Sequence, residues 1–220
     1  MTRAPTVETV VSELQAAGRT VPELRQVRRR ATAAWRAQNA DFILAAARKL
    51  NERHAYRWIG YELVRFHKAA FEALTDRTLA ELAVGLDSWE SVDAFARTLS
   101  GPAWAQGLVS DALIEAWSRS PDRWLRRSAL VSTVALNRRA DGGRVEAPRT
   151  LAICRRLAGD RDDMVEKALS WALRVLATED AAAVAGFLSD MDQRLSARVK
   201  REVGNKLRTG LKNPRRGNAT

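Results

Sequence analysis

The sequence predicts an all-α protein, an α-solenoid of antiparallel helix pairs, C-shaped with a concave basic groove. Three observations lead there. Apolar residues recur at i, i+3, i+4 and i+7 through seven long segments. Short breaks carrying Gly, Pro, Ser and Asp separate the segments. One position then recurs in frame at Trp58, Asp93, Arg127, Lys167 and Arg201, at intervals of 35, 34, 40 and 34 residues. A period in that range, with two helices to the unit, marks an α-solenoid. An irregular bundle of similar-length helices is the alternative, and the in-frame recurrence favours the solenoid.

The predicted helices run in order over Val21–Arg36, Phe42–Leu50, Tyr56–Phe71, Ala103–Trp117, Arg123–Leu136, Met164–Leu176 and Ala197–Leu207. Between them lie Gly85-Leu86-Asp87-Ser88, Ser100-Gly101-Pro102, Ser120-Pro121-Asp122, Asp141-Gly142-Gly143, Gly159-Asp160 and Thr178-Glu179-Asp180. Ser88 and Asp122 read as N-caps, whose side-chain oxygens satisfy the first N–H groups of a helix. No hairpin signal with alternating flanks appears, so no strand is predicted. Residues 1–208 read as a single domain and 209–220 as a basic flexible tail that adds nonspecific affinity for polyanions.

Composition narrows the partners. Of the 220 residues, 37 are Lys or Arg against 26 Asp or Glu, a net charge of +11. Arg accounts for 31 of the 37, and Arg binds phosphate bidentately; GC-rich coding produces the same skew. Basic runs at Arg28-Arg29-Arg30, Arg126-Arg127, Arg138-Arg139, Arg155-Arg156 and Arg208 to Arg216 spread along the whole chain. That distribution suits an extended basic surface. Cys154 alone excludes a disulfide framework and a multi-cysteine metal site, and it reads as a buried small hydrophobe. His54 and His67 are too far apart for a helical metal pair. The Asp141-Gly142-Gly143 loop lacks the strand–turn–helix context of a phosphate loop. No apolar run approaches a membrane span, and Met1 to Thr6 carry no signal-peptide stretch. A soluble, cytoplasmic, nucleoid-associated protein is expected.

Three pieces carry a family resemblance. Ser88-Trp89-Glu90-Ser91-Val92-Asp93 places an indole and a carboxylate at i and i+4 on one helical face. Trp124-Leu125-Arg126-Arg127 follows, then Lys167-Ala168-Leu169-Ser170-Trp171. In this order and spacing the chain resembles the DNA alkylation repair family of HEAT-like-repeat DNA glycosylases, the AlkD type, from about Val21 to Leu207. Only about twenty residues precede Val21, fewer than the family's usual opening unit.

The resemblance implies a monofunctional DNA glycosylase that releases N3- and N7-alkylated purines such as 3-methyladenine and 7-methylguanine, in base excision repair. It also implies that duplex DNA lies along a concave groove. Carried over by register, the catalytic cluster falls on Trp89 and Asp93, with Trp171 as the second groove tryptophan and Arg127 as the groove arginine. Arg126, Lys167, Arg201 and Trp58 are expected to line the groove toward DNA. The expected partner is double-stranded DNA with alkylated purines, bound by a monomer without metal or organic cofactor.

Elementary chemistry agrees with those roles. Alkylation at N3 or N7 puts positive charge on the purine, and cleavage moves that charge toward the sugar. An ionised Asp93 favours an oxocarbenium-like sugar or positions the attacking water, with no acid needed for the leaving base. Indole faces of Trp89 and Trp171 suit a cationic nucleotide, and Arg127 suits a backbone phosphate. Read without the resemblance, Asp93 and Arg127 are equally an ion pair, as are Arg127 and Asp122. Trp35, Trp58, Trp104, Trp117 and Trp124 read as core. The other function classes are a noncatalytic DNA-binding solenoid for distorted or branched DNA, and an adaptor for an acidic protein.

Overall fold

A computed structural model describes residues 4–18 and 20–214. Its helices are α1 (Val7–Ala16), α2 (Val21–Ala34), α3 (Ala40–Asn51), α4 (Arg57–Phe66), α5 (Lys68–Glu72), α6 (Asp76–Ala83) and α7 (Trp89–Phe95). They continue as α8 (Gly101–Ala105), α9 (Asp111–Ser118), α10 (Arg123–Leu136), α11 (Ala147–Leu157), α12 (Asp163–Glu179), α13 (Ala181–Asp190) and α14 (Ala197–Thr209). No strand occurs among the described residues.

The helices stack in two layers. In the front layer α2, α4, α7, α10, α12 and α14 pack each on the next, and α1, α3, α6, α9, α11 and α13 stand behind them. This is the α-solenoid that the in-frame period predicted. The period is visible in the side-chain bridges between neighbouring units. Arg28 to Glu62, Ser110 to Asp76, Asp93 to Arg127 and Arg126 to Asp160 each join residues 34 apart. One apolar core runs the length of the stack, with Trp35, Trp104, Phe95 and Phe187 fully buried. Each such side chain contributes roughly 1.5–3 kcal/mol relative to an exposed position.

The structure departs from the sequence expectation in three places. Ser100-Gly101-Pro102 is no break: α7 runs through a π turn, Ala96–Ser100, straight into α8. Pro102 has no N–H to continue an α-helical ladder, and the wider turn absorbs that loss, with Gly101 N–H donating to the Ala96 carbonyl five residues back. The segment predicted over Ala103–Trp117 is instead interrupted, at Gly107 with φ +73° and at Ser110, which caps α9. Tyr56–Phe71 divides at His67, whose Nδ1 accepts the Ala70 N–H and starts α5. Trp58 and Trp124, expected in the core, are only partly buried, whereas Trp35, Trp104 and Trp117 are buried as expected. Cys154 is buried, and burial pushes its thiol pKa up.

Beyond α14, Gly210 takes the left-handed conformation that ends a helix. Lys212 then folds back, with its Nζ 3.5 Å from Glu202 Oε2. The last residues of the expected tail, 215–220, lie outside the described residues.

Candidate active site

Capping fixes where the site residues stand. Ser88 Oγ accepts the Ser91 N–H at 3.2 Å, so α7 begins at Trp89 and places Asp93 one turn later. Asp122 caps α10 through the Trp124 N–H at 2.8 Å, setting Arg127 in its second turn. Asp162 accepts the Met164 and Val165 N–H groups and starts α12, which carries Lys167 and Trp171.

Asp93 and Arg127 meet across α7 and α10. Arg127 donates from Nε to Asp93 Oδ1 and from Nη2 to Oδ2, both at 3.0 Å. Its Nη1 donates to the Met164 carbonyl at 2.6 Å. The Arg127 side chain is 6% exposed and that of Asp93 19%. Burial pushes the Asp93 pKa above the ordinary carboxylate value, against the pull of the Arg127 guanidinium and, more weakly, of Arg97. Of the two ion pairs left open by the sequence, the structure selects Asp93–Arg127. That geometry gives Arg127 a task other than phosphate binding. All three nitrogens face protein oxygens, and the group holds the Asp93 carboxylate in one orientation.

Asp93 lines a cleft of about 620 Å³ between α2, α4 and α7. Trp58 lines it too, with the Arg25 guanidinium carbon 5.5 Å from the ring centroid. The carboxylates of Glu62, Asp87, Glu90 and Asp93 face the guanidinium groups of Arg25, Arg57 and Arg97 around this space. Arg25 donates to Glu62 at 3.0 Å, and Arg57 donates to the Gly85 carbonyl. Two of the four carboxylates are already neutralised, Glu62 by Arg25 and Arg28 and Asp93 by Arg127, so the acidic groups of the cleft are matched by guanidinium groups.

The remaining expected residues are not part of its lining. Trp89 is 50% exposed on the first turn of α7. Trp171 is partly buried against the core. Lys167 pairs with Asp163 at 2.7 Å, and Arg201 is exposed on α14. Arg126 donates to Asp160 at 2.7 Å and to the Ser120 and Pro121 carbonyls, as a brace between units. The sequence reading missed Arg97. It is exposed, lines the cleft one turn beyond Asp93, and stands with its guanidinium carbon 5.8 Å from the Trp171 ring centroid. The i, i+4 relation of Asp93 and Arg97 was the signal that could have found it. Among the described residues, no group of three or more His, Cys, Asp or Glu could hold a metal ion, and no helix is long and apolar enough to cross a membrane.

No curated protein matches the chain. Residues 3–207 do match a family described as DNA alkylation repair enzyme, nearly the full length and the same span as the two-layer stack. On that match, the chain belongs to the DNA alkylation repair enzyme family.

Proposed function

We propose that this protein is an alkylpurine DNA glycosylase that hydrolyses the N-glycosidic bond of N3- or N7-alkylated purines in duplex DNA. The observation that carries the reading is the Asp93 carboxylate, fixed by two hydrogen bonds from Arg127 at the wall of a cleft lined by charged groups and Trp58. As the bond to the base breaks, positive charge moves to the deoxyribose. A carboxylate already oriented by Arg127 stabilises that charge without reorganising, or holds the attacking water. At about 4 Å and an effective dielectric near 20 the interaction is worth roughly 4 kcal/mol. The leaving base departs neutral, so no general acid is required. Trp58 supports the reading as the aromatic wall of the same cleft, and Trp89 and Trp171 as flanking indoles. On this reading Lys167 and Arg201 meet backbone phosphates, and the chain acts as a monomer.

A noncatalytic DNA-binding role is favoured by one specific observation: the Asp93–Arg127 pair satisfies both partners, as a purely structural ion pair does. Incubation with methylated genomic DNA, followed by mass spectrometry of the small-molecule fraction, separates the two. The glycosylase reading expects free 3-methyladenine or 7-methylguanine. Duplex binding with no base released leaves the binding role.

A further inference from the structure

The run Arg28-Arg29-Arg30 and the residue His67 have no part in the site just described, yet α2 and the α4–α5 junction bring members of both together. They line a second cleft of about 840 Å³. Its cations are Arg28, Arg29, Arg36 and Lys68, against the single carboxylate of Glu72, which lies 3.8 Å from Lys68. Phe66 also lines it and is 56% exposed, an unusual position for a large apolar ring.

His67 supplies an independent observation. It is 7% exposed, and its Nδ1 accepts the Ala70 N–H, so in the neutral ring the proton sits on Nε2. That Nε2 is buried and has no hydrogen-bond partner among the described residues. A buried donor without an acceptor is destabilising, and such groups are rare in folded proteins. An anion seated among Arg29, Arg36 and Lys68 would bring the missing acceptor.

The two clefts share a wall. Glu62 faces the Asp93 cleft and accepts hydrogen bonds at 3.0 Å from both Arg25 and Arg28, and Arg28 faces the second cleft. The Arg25–Glu62–Arg28 triad thus joins the two clefts.

We propose that the second cleft is a phosphate site for the DNA backbone. Arg29, Arg36 and Lys68 bind the anionic oxygens, His67 Nε2–H donates to one of them, and the exposed face of Phe66 packs on the adjoining sugar or base. The proposal rests on the glycosylase reading only for DNA as the ligand, and its test is independent of excision.

The experiment measures binding of undamaged duplex DNA across a salt series for the full chain and for an Arg29→Gln/Arg36→Gln/Lys68→Gln variant. All three side chains are surface groups, so the fold is kept. The matching control removes three cations from the back layer, by Arg77→Gln/Arg119→Gln/Arg155→Gln. Each lost phosphate contact lowers the slope of log K against log salt by about 1. The cleft variant is expected to lose two to three in slope and at least about tenfold in affinity at low salt. His67→Asn keeps a capping oxygen and removes Nε2; it is expected to weaken binding severalfold. Equal slopes for the full chain and the cleft variant would overturn the site. Equal losses in the cleft variant and the control would overturn it too, since net charge alone would then explain both. Competition by inorganic phosphate at millimolar concentration with no effect of the cleft variant on duplex binding would reassign it to a small anion. Should the full chain release no base, the slope comparison still decides this site.

Discussion

Asp93 gives both carboxylate oxygens to a single guanidinium, so its charge bears on stability as well as on chemistry. Asp93→Asn leaves Arg127 buried without a counter-charge, and breaking such a pair costs about 3 kcal/mol. For a chain of this size that lowers Tm by roughly 6–12 °C. Replacing both groups, as in Asp93→Asn/Arg127→Met, removes the unpaired charge and is expected to recover most of that loss, with a coupling measurable by thermal melting. Excision is expected to stay low in both variants, because the carboxylate is missing from each. Recovered excision in the double variant would make the pair structural only. The pH profile tests the same carboxylate. Burial raises the Asp93 pKa and Arg127 opposes the rise. Activity that needs ionised Asp93 falls as pH drops through that raised value, so its acid limb lies above the ordinary aspartate range near 3.9. In Arg127→Met the opposing cation is gone, and the limb moves to higher pH in single-turnover rates.

The element that carries Asp93 depends on a glycine eight positions further along the chain. Gly101 ends the π turn, and a Cβ there would meet the Ser132 carbonyl and the Ala135 Cβ of α10 at 2.9 Å, and the Ala96 carbonyl at 2.8 Å. Beside it Ser100 and Ser132 share a hydrogen bond of 2.6 Å. Gly101→Ala is therefore expected to push α7 from α10, lowering stability by about 1–3 kcal/mol in melting or urea titration and loosening Asp93 against Arg127. An unchanged Tm would show that the helices yield without cost. This close approach was not legible in the sequence, where Gly-Pro reads as punctuation. The long front helices were legible because they bury broad stripes, and α10 begins and ends at the predicted residues, whereas the seven-residue α7 was not among the predicted segments. Most of the back layer was not, since α6 and α13 are short and bury only three and two residues. The period set Asp93 and Arg127 in one frame, but the sequence left Arg127 open between Asp93 and Asp122, and the structure decides for Asp93. Arg97 was missed because its one local signal, the i, i+4 relation to Asp93, was not followed among the chain's many arginines.

At the scale of the whole molecule, positive charge dominates. The chain carries a net +11, and at the Asp93 cleft the carboxylates of Glu62 and Asp93 are already held by Arg25, Arg28 and Arg127. That excess charge supplies long-range attraction to a polyanion. Duplex affinity is accordingly expected to fall steeply with salt, and Asp93→Asn to bind undamaged duplex at least as well as the unaltered chain. Excision and binding should move in opposite directions at this one residue. The most direct measurement is single-turnover release of 7-methylguanine from a methylated duplex, by the unaltered chain and by Asp93→Asn, with duplex binding recorded alongside. The account predicts release by the unaltered chain and a rate roughly 10- to 1000-fold lower in the variant, a transition-state loss of about 1.4–4 kcal/mol, with binding retained. Equal rates in the two folded, DNA-binding proteins, or no release by either, would contradict it.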